Sequence, residues 1–300
     1  MYYVQLFILG LPIAGLFALL ATGVVMVYRA SRVLNLAVGG MAMFTAYIAY
    51  WLSNDPSGPG FPAGIAVVVA LVFAAAQGWA IERFLLRPLR DRPILASVIM
   101  TVGALALLTA LAGAIWGYDR QDAPTILPRG SRVSIAGAVL GLDRILILVI
   151  TAALMAGVIL LFQKTTLGVA MRAVSDDRRS ALLMGIPADR VSTATWMLGS
   201  VLAGVTGILL SPIIGLQPVN LTLLAIPAYA AALFGGLTSL PYTLAGAGVV
   251  GVIYSMVPSL PVISTSTFPG AREVVIFGAL ILFLYFRGEK LFGAQPEEAL

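Results

Sequence analysis

The 300-residue chain contains no cysteine and no histidine. That excludes disulfides, thiolate nucleophiles and metal or haem sites built on Cys or His. It also excludes a histidine proton shuttle. Charge is scarce as well. Asp, Glu, Lys and Arg make up 10% of residues, against about 25% in an ordinary soluble protein. The chain has no Gly-x-x-x-x-Gly-Lys loop, so it cannot cradle nucleotide phosphates by that device. No cluster of nucleophile, base and metal ligands is present, which disfavours an enzyme, and no cofactor is implied. Ser211 before Pro212 and the STST run at 264–267 read as loop and turn residues. The net charge is +5, but no basic stripe with interleaved aromatics accompanies it, so nucleic acid is set aside.

What remains is apolar. Hydrophobic residues make up 60% of the chain before glycine is counted. Soluble domains reach roughly 45–50% with glycine included, and they rarely expose large apolar patches. The composition therefore predicts an integral membrane protein, all-α, with one transmembrane domain over 1–300. A spanning helix needs about 20 mostly apolar residues. Segments 4–28, 33–52, 61–86, 93–117, 145–162 and 193–216 qualify, and a further one closes the chain at 271–287. Barrel strands would alternate in stretches of about 10 residues instead. The N-terminal run lacks a basic n-region and is too long for a signal h-region, so it reads as a retained first span. Between 222 and 257 the apolar stretches are short and carry Pro227, Pro241 and several glycines. They read as two thin spans or a re-entrant pair, a pattern that points to a transport pathway.

Orientation follows from the cations. With the loop 163–192 in the cytoplasm, alternation also places 29–32, 82–92 and 287–300 inside. Those segments hold 13 of the 18 Lys and Arg residues, as the positive-inside rule requires. The N-terminus is then outside and the C-terminus inside. The long external loop, 118–144, reads as a small cap.

The predicted spans are almost free of ionisable groups. Ion-driven carriers usually place acids or bases at membrane depth. Many spans without such groups suggest energy supplied by another subunit. The candidate pathway residues are Asn35, Gly39, Thr101 and Tyr229; for the polar ones, interhelical hydrogen bonding at about 1 kcal/mol is the competing reading.

Eight of the 31 charged residues lie between Lys164 and Arg190. Within that stretch Leu167, Met171, Val174 and Ala181 recur near the helical period. They predict one amphipathic helix from Thr166 to Met184, parallel to the membrane. Gly185 suits a left-handed helix stop and Pro187 the first turn of the next helix. The loop is either a lipid-facing amphipathic segment or a lever that seats its apolar stripe in a groove on a cytoplasmic partner. Its mixed charges favour the lever, since a headgroup binder would be mainly basic.

The stretch LGVAMRAVSDDRRSALLMGIPADRV resembles the cytoplasmic coupling segment of branched-chain amino acid ABC importer permeases. The positions that carry the resemblance are Gly168, Arg172, Ala173, Asp176, Asp177, Ala181, Gly185 and Ile186. Residues 78–88, 15–40 and 232–256 resemble further segments of the same family in the same order, so the likeness spans nearly the whole chain. It is strongest to the shorter, histidine-named subunit of the permease pair. The resemblance implies a type II ABC importer fold of about eight helices in a bacterial inner membrane. It also implies a second homologous permease subunit, two cytoplasmic ATP-binding subunits and a periplasmic substrate-binding protein. One departure bears on cargo. Where the family reads Asn-Phe-Ala-His-Gly-Glu, this chain reads NLAVGG, with Val38 and Gly40 in place of His and Glu. That widens the expected substrate from branched-chain to other small amino acids. The alternative from another class is a stand-alone secondary carrier for a small amide such as urea.

Overall fold

The computed structural model describes residues 2–90, 92–121, 123, 127, 132–135, 138–259 and 270–292. For 2–4, 132–135, 138–139, 259 and 287–292 the description is of the backbone alone. The STST run, Arg129 and the tail 293–300 lie outside the described residues.

Hydrocarbon offers no partner to an exposed peptide group, so a continuous apolar run must satisfy its own backbone as a helix. Helix α1 runs Tyr2–Ser31. Helix α3 (Ala63–Ala80) continues through a π-helical turn, Ile81–Leu86, and a 3-10 turn, Arg87–Leu89. Helices α4 (Ile94–Trp116), α5 (Leu142–Lys164) and α8 (Ala188–Ile214) follow the same rule. Among the described residues these five are long and apolar enough to cross a membrane. Pro62 and Pro93 precede α3 and α4 in extended conformation, and Gly117 and Gly215 end α4 and α8 at positive φ. Proline at the start and glycine at the stop is the asymmetry that helix termini favour.

The second expected span departs from the prediction. Segment 33–52 is helical only from Val38, where α2 (Val38–Ser53) begins. Sixteen residues reach about 24 Å, less than the roughly 30 Å of a bilayer core. Residues 33–35 carry no regular structure and Leu36–Ala37 form a turn, with backbone groups held partly within the segment and partly by side chains of other helices, described below. The region 222–257 is two short helices, α10 (Ala225–Phe234) and α11 (Leu240–Met256), preceded by the single turn α9 (Pro218–Thr222). Helix α12 (Ala271–Phe292) closes the described chain. Between α4 and α5, strands β1 (Arg132–Ile135) and β2 (Ala138–Gly141) form an antiparallel hairpin.

Helix α8 is the hub, packing against α1, α2 and α3. Water provides no driving force between helices in lipid, so close backbone approach through small residues replaces it. Gly199 lies against Gly23 of α1, and Gly204 against Thr45 of α2. A methyl group on Gly207 would sit 2.1 Å from the Ala42 carbonyl oxygen, and one on Gly78 would sit 2.4 Å from that of Trp196. By contrast α4 and α5 turn Ile94, Leu95, Ile99, Val149 and Leu160 outward, as lipid-facing helices do.

Gly207→Val should drive α2 away from α8 and destabilise the chain by about 1–3 kcal/mol, the usual cost of overpacking. Gly64→Ala, at a position open to solvent or lipid, should not. Thermal unfolding of both variants in detergent checks the contrast.

Candidate functional site

The polar segment between α5 and α8 folds into two helices, not the single one its apolar period predicts. Helix α6 runs Thr166–Asp176 and α7 runs Arg178–Leu183. Each starts on a side-chain cap. Thr165 Oγ1 accepts from the Gly168 amide at 3.1 Å. The Asp177 carboxylate accepts from the Arg179 amide at 2.8 Å and from the Ser180 hydroxyl. A side chain that offers the backbone this alternative interrupts a helix and starts another. Helix α7 ends in a Schellman turn. The Ile186 amide reaches the Ala181 carbonyl and the Gly185 amide that of Leu182, both at 3.0 Å, with Gly185 at φ +79°. That is the left-handed position glycine fills without strain. Pro187 takes the N-cap position of α8 rather than its first turn.

The apolar stripe points inward, which corrects the expectation that it docks into a partner. Met171, Val174 and Ala181 are buried against Met26, Phe162 and Val191 of this same chain, with Leu167, Ala173 and Ile186 packed alongside. Gly168 lies so close to the α5 terminus that a Cβ would meet the Leu161 carbonyl at 2.3 Å, and the Arg172 guanidinium donates to the Phe162 carbonyl. Seven of the eight positions carrying the resemblance, Asp177 as the α7 cap among them, therefore shape the segment or hold it to its own helices. Asp176 and Asp177 remain exposed. The outward surface is instead Leu182, Leu183 and Met184, with Leu183 83% and Met184 81% exposed, beside the exposed Arg179. An uncharged triplet at the tip of a charged loop was the signal for it.

Charge ties this segment to the bundle. Asp189, in the first turn of α8, binds Arg178 of α7 at 2.7 Å, Arg87 at 2.6 Å and also Arg90. Arg90 bridges onward to Glu82 in the π-helical turn, and Thr193 Oγ1 donates to Glu82 at 2.7 Å. Glu82 is 1% exposed, so its carboxylate depends on these partners. Removing one partner of a buried ion pair costs roughly 3–5 kcal/mol. The end of α3, the lever and the start of α8 thus share one ionic cluster. In the sequence Arg90 reads only as a topology signal and Arg87 as that and as part of the 78–88 resemblance; a carboxylate at the membrane edge beside surplus arginine was the available clue.

A second tether runs through Arg32, which donates to the Ser175 carbonyl at 2.7 Å. It opens the irregular segment where three of the four candidate pathway residues meet. The Ala37 amide donates to Asn35 Oδ1 at 3.1 Å, and the Leu36 amide to Thr101 Oγ1 at 3.2 Å. The Tyr229 hydroxyl donates to the Asn35 carbonyl. Gly39 adjoins them, its Cα facing α9 so closely that a Cβ would sit 2.2 Å from the Thr222 carbonyl. Asn35 and Thr101 are buried. These residues satisfy irregular backbone and join α4 and α10 to the lever. A cavity of about 550 Å³ lies elsewhere, between the ends of α1, α8, α11 and α12 remote from the lever, and none of the four residues lines it.

A helical membrane bundle with a rigid polar lever at one face and a cavity at the other has the build of a type II ABC importer permease. The chain belongs to the family described as branched-chain amino acid transport system / permease component, which matches residues 6–285. It is 30% identical to the high-affinity branched-chain amino acid transport system permease protein BraD of Pseudomonas aeruginosa, over 99% of this chain and 97% of that one. It is 27% identical to LivH of Escherichia coli K12, again over 99% and 97%. Among solved structures it is similar in fold to a chain of PsaBC from Streptococcus pneumoniae in complex with Fab. There the TM-score is 0.51 and the identity 14%, covering 97% of this chain and 96% of that one.

Asp189→Asn should release α7 from α8. Amides 178–184 should then exchange hydrogen roughly 5–30-fold faster, the effect of one or two kcal/mol; unchanged protection would show the cluster holds nothing. The Asp177 carboxyl is held below the usual carboxylate range by its hydrogen bonds from Ser180 and the Arg179 amide. A depressed pKa stabilises above the ordinary value and loses that contribution only as pH falls through the lowered one. Protection of α7, corrected for intrinsic exchange, should therefore be the same at about pH 5 and pH 8.

Proposed function

We propose that the chain is the permease subunit of an ATP-driven importer for branched-chain or other small amino acids. It pairs with a second, homologous permease subunit. Two cytoplasmic ATP-binding subunits drive it, and a periplasmic binding protein delivers its substrate. It sits in a bacterial inner membrane with the N-terminus outside and the C-terminus inside. The observation that carries this reading is the lever: a capped, two-helix segment braced by Arg32, Arg172 and Arg178, with its apolar tip exposed on a chain that has no nucleotide loop of its own. ATPase closure pressing on Leu182, Leu183 and Met184 would be passed through the Asp189 cluster to α3 and α8. Through Arg32 it would reach the junction of α2, α4 and α10. The family match supports this reading over a stand-alone carrier for an amide such as urea, as does the lack of ionisable groups deep in the spans.

Replacing Leu183 and Met184 together by Asp should abolish co-purification of the ATP-binding subunits, because a fully desolvated apolar anchor typically contributes at least about 2 kcal/mol. Membrane insertion should be unaffected. The purified chain alone in liposomes should accumulate no leucine on an ion gradient. Uphill accumulation without ATP or partners would overturn the assignment.

A further inference from the structure

The cavity of about 550 Å³ lies at the face opposite the lever. Its walls come from elements far apart in sequence, and they are chemically two-sided. One side is apolar, formed by Ile13 of α1, Leu224 just before α10 and Pro227 within it. The other side carries Arg144 in the first turn of α5 and both Arg272 and Glu273 in the first turn of α12. Tyr254 of α11 stands beneath Arg272, whose guanidinium carbon lies 4.4 Å from the ring centroid. That contact, with a hydrogen bond between the two side chains, holds the guanidinium over the ring. Arg272 Nε is buried and has no hydrogen-bond partner. Among the described residues Arg144, Arg272 and Glu273 make no ion pair, although the chain pairs its arginines densely at the other face.

Buried donors without partners are costly, and a guanidinium beside a carboxylate that does not neutralise it is a site in want of a ligand with both charges. We infer that this cavity is a low-affinity subsite for a zwitterionic α-amino acid with an apolar side chain. The inference rests on the function proposed above and deepens it. Arg272, assisted by Arg144, takes the α-carboxylate through the planar fork that matches its two oxygens. Glu273 takes the α-ammonium. Ile13, Leu224 and Pro227 receive the aliphatic side chain. The volume exceeds that of a leucine, so the fit is loose, as a pathway that must release its cargo requires. The site also accounts for a permease selecting amino acids without any charge deep within its spans. Both ends of the substrate are matched at the entrance, and only weakly.

The test uses the complete transporter, this chain with its permease partner, ATP-binding subunits and binding protein, in proteoliposomes with radiolabelled leucine. Arg272→Gln and Glu273→Gln should each lower kcat/KM for ATP-driven leucine uptake about tenfold or more, the effect expected from losing a charged hydrogen bond. Each should also lower the leucine moved per ATP hydrolysed. A complex in which both variants match wild type on both readouts overturns the subsite and leaves the functional reading standing. A loss in Arg272→Gln with none in Glu273→Gln overturns the zwitterion assignment in favour of a simple anion site. If Arg272→Gln fails to assemble, the isosteric Glu273→Gln variant decides alone. Wild-type complex that moves no amino acid on ATP sinks the functional reading itself, and the subsite with it.

Discussion

The structure depends on how closely α8 can approach its neighbours. In a lipid environment helices gain little by hiding apolar surface from one another, so contact distance and packing density decide association. Gly199, Gly204 and Gly207 on α8, with Gly23 on α1 and Gly78 on α3, allow backbone to meet backbone or small side chains. Once α8 is fixed against α1, α2 and α3, its first turn is fixed too. That turn places Asp189 where Arg87, Arg90 and Arg178 can all reach it.

The charged segment is braced on several sides. Its apolar stripe is consumed in packing on its own helices, its caps are internal, and its arginines hold carbonyls and carboxylates of neighbouring elements. Bracing of this kind suits the transmission of displacement proposed above. Interfaces and packed cores switch between discrete arrangements more readily than they deform. In the proposed function a push on the exposed tip has two routes inward. One passes along the ionic cluster to α3 and α8. The other passes through Arg32 to the irregular junction before α2, where Thr101 and Tyr229 meet the backbone.

The two faces of the molecule use charge differently. At the lever, arginines and carboxylates neutralise one another and one carboxylate is buried. At the opposite face Arg144, Arg272 and Glu273 line a cavity and, among the described residues, make no ion pair. Paired charge braces one end, and the proposed subsite would use the charge at the other.

Composition and hydrophobic run length alone determined that the chain is a helical membrane protein, where five long spans lie, which face carries cations, and that the segment between Lys164 and Arg190 stands apart. These are local properties: a peptide group in hydrocarbon must bond within its own helix, whatever surrounds it. The glycine stop at 185 was legible for the same reason. Only the tertiary structure decided that Asp177 splits the lever in two, and that α2 starts at Val38. It alone showed that Met171 and Val174 face inward while Leu183 and Met184 face outward. It also decided that Asp189 gathers three arginines and that Arg144, Arg272 and Glu273 share one cavity. Periodicity reveals that a helix has an apolar side but not what covers it. Partners 99 to 111 residues apart, such as Arg90 with Asp189 or Glu82 with Thr193, meet only because α8 packs where its glycines let it.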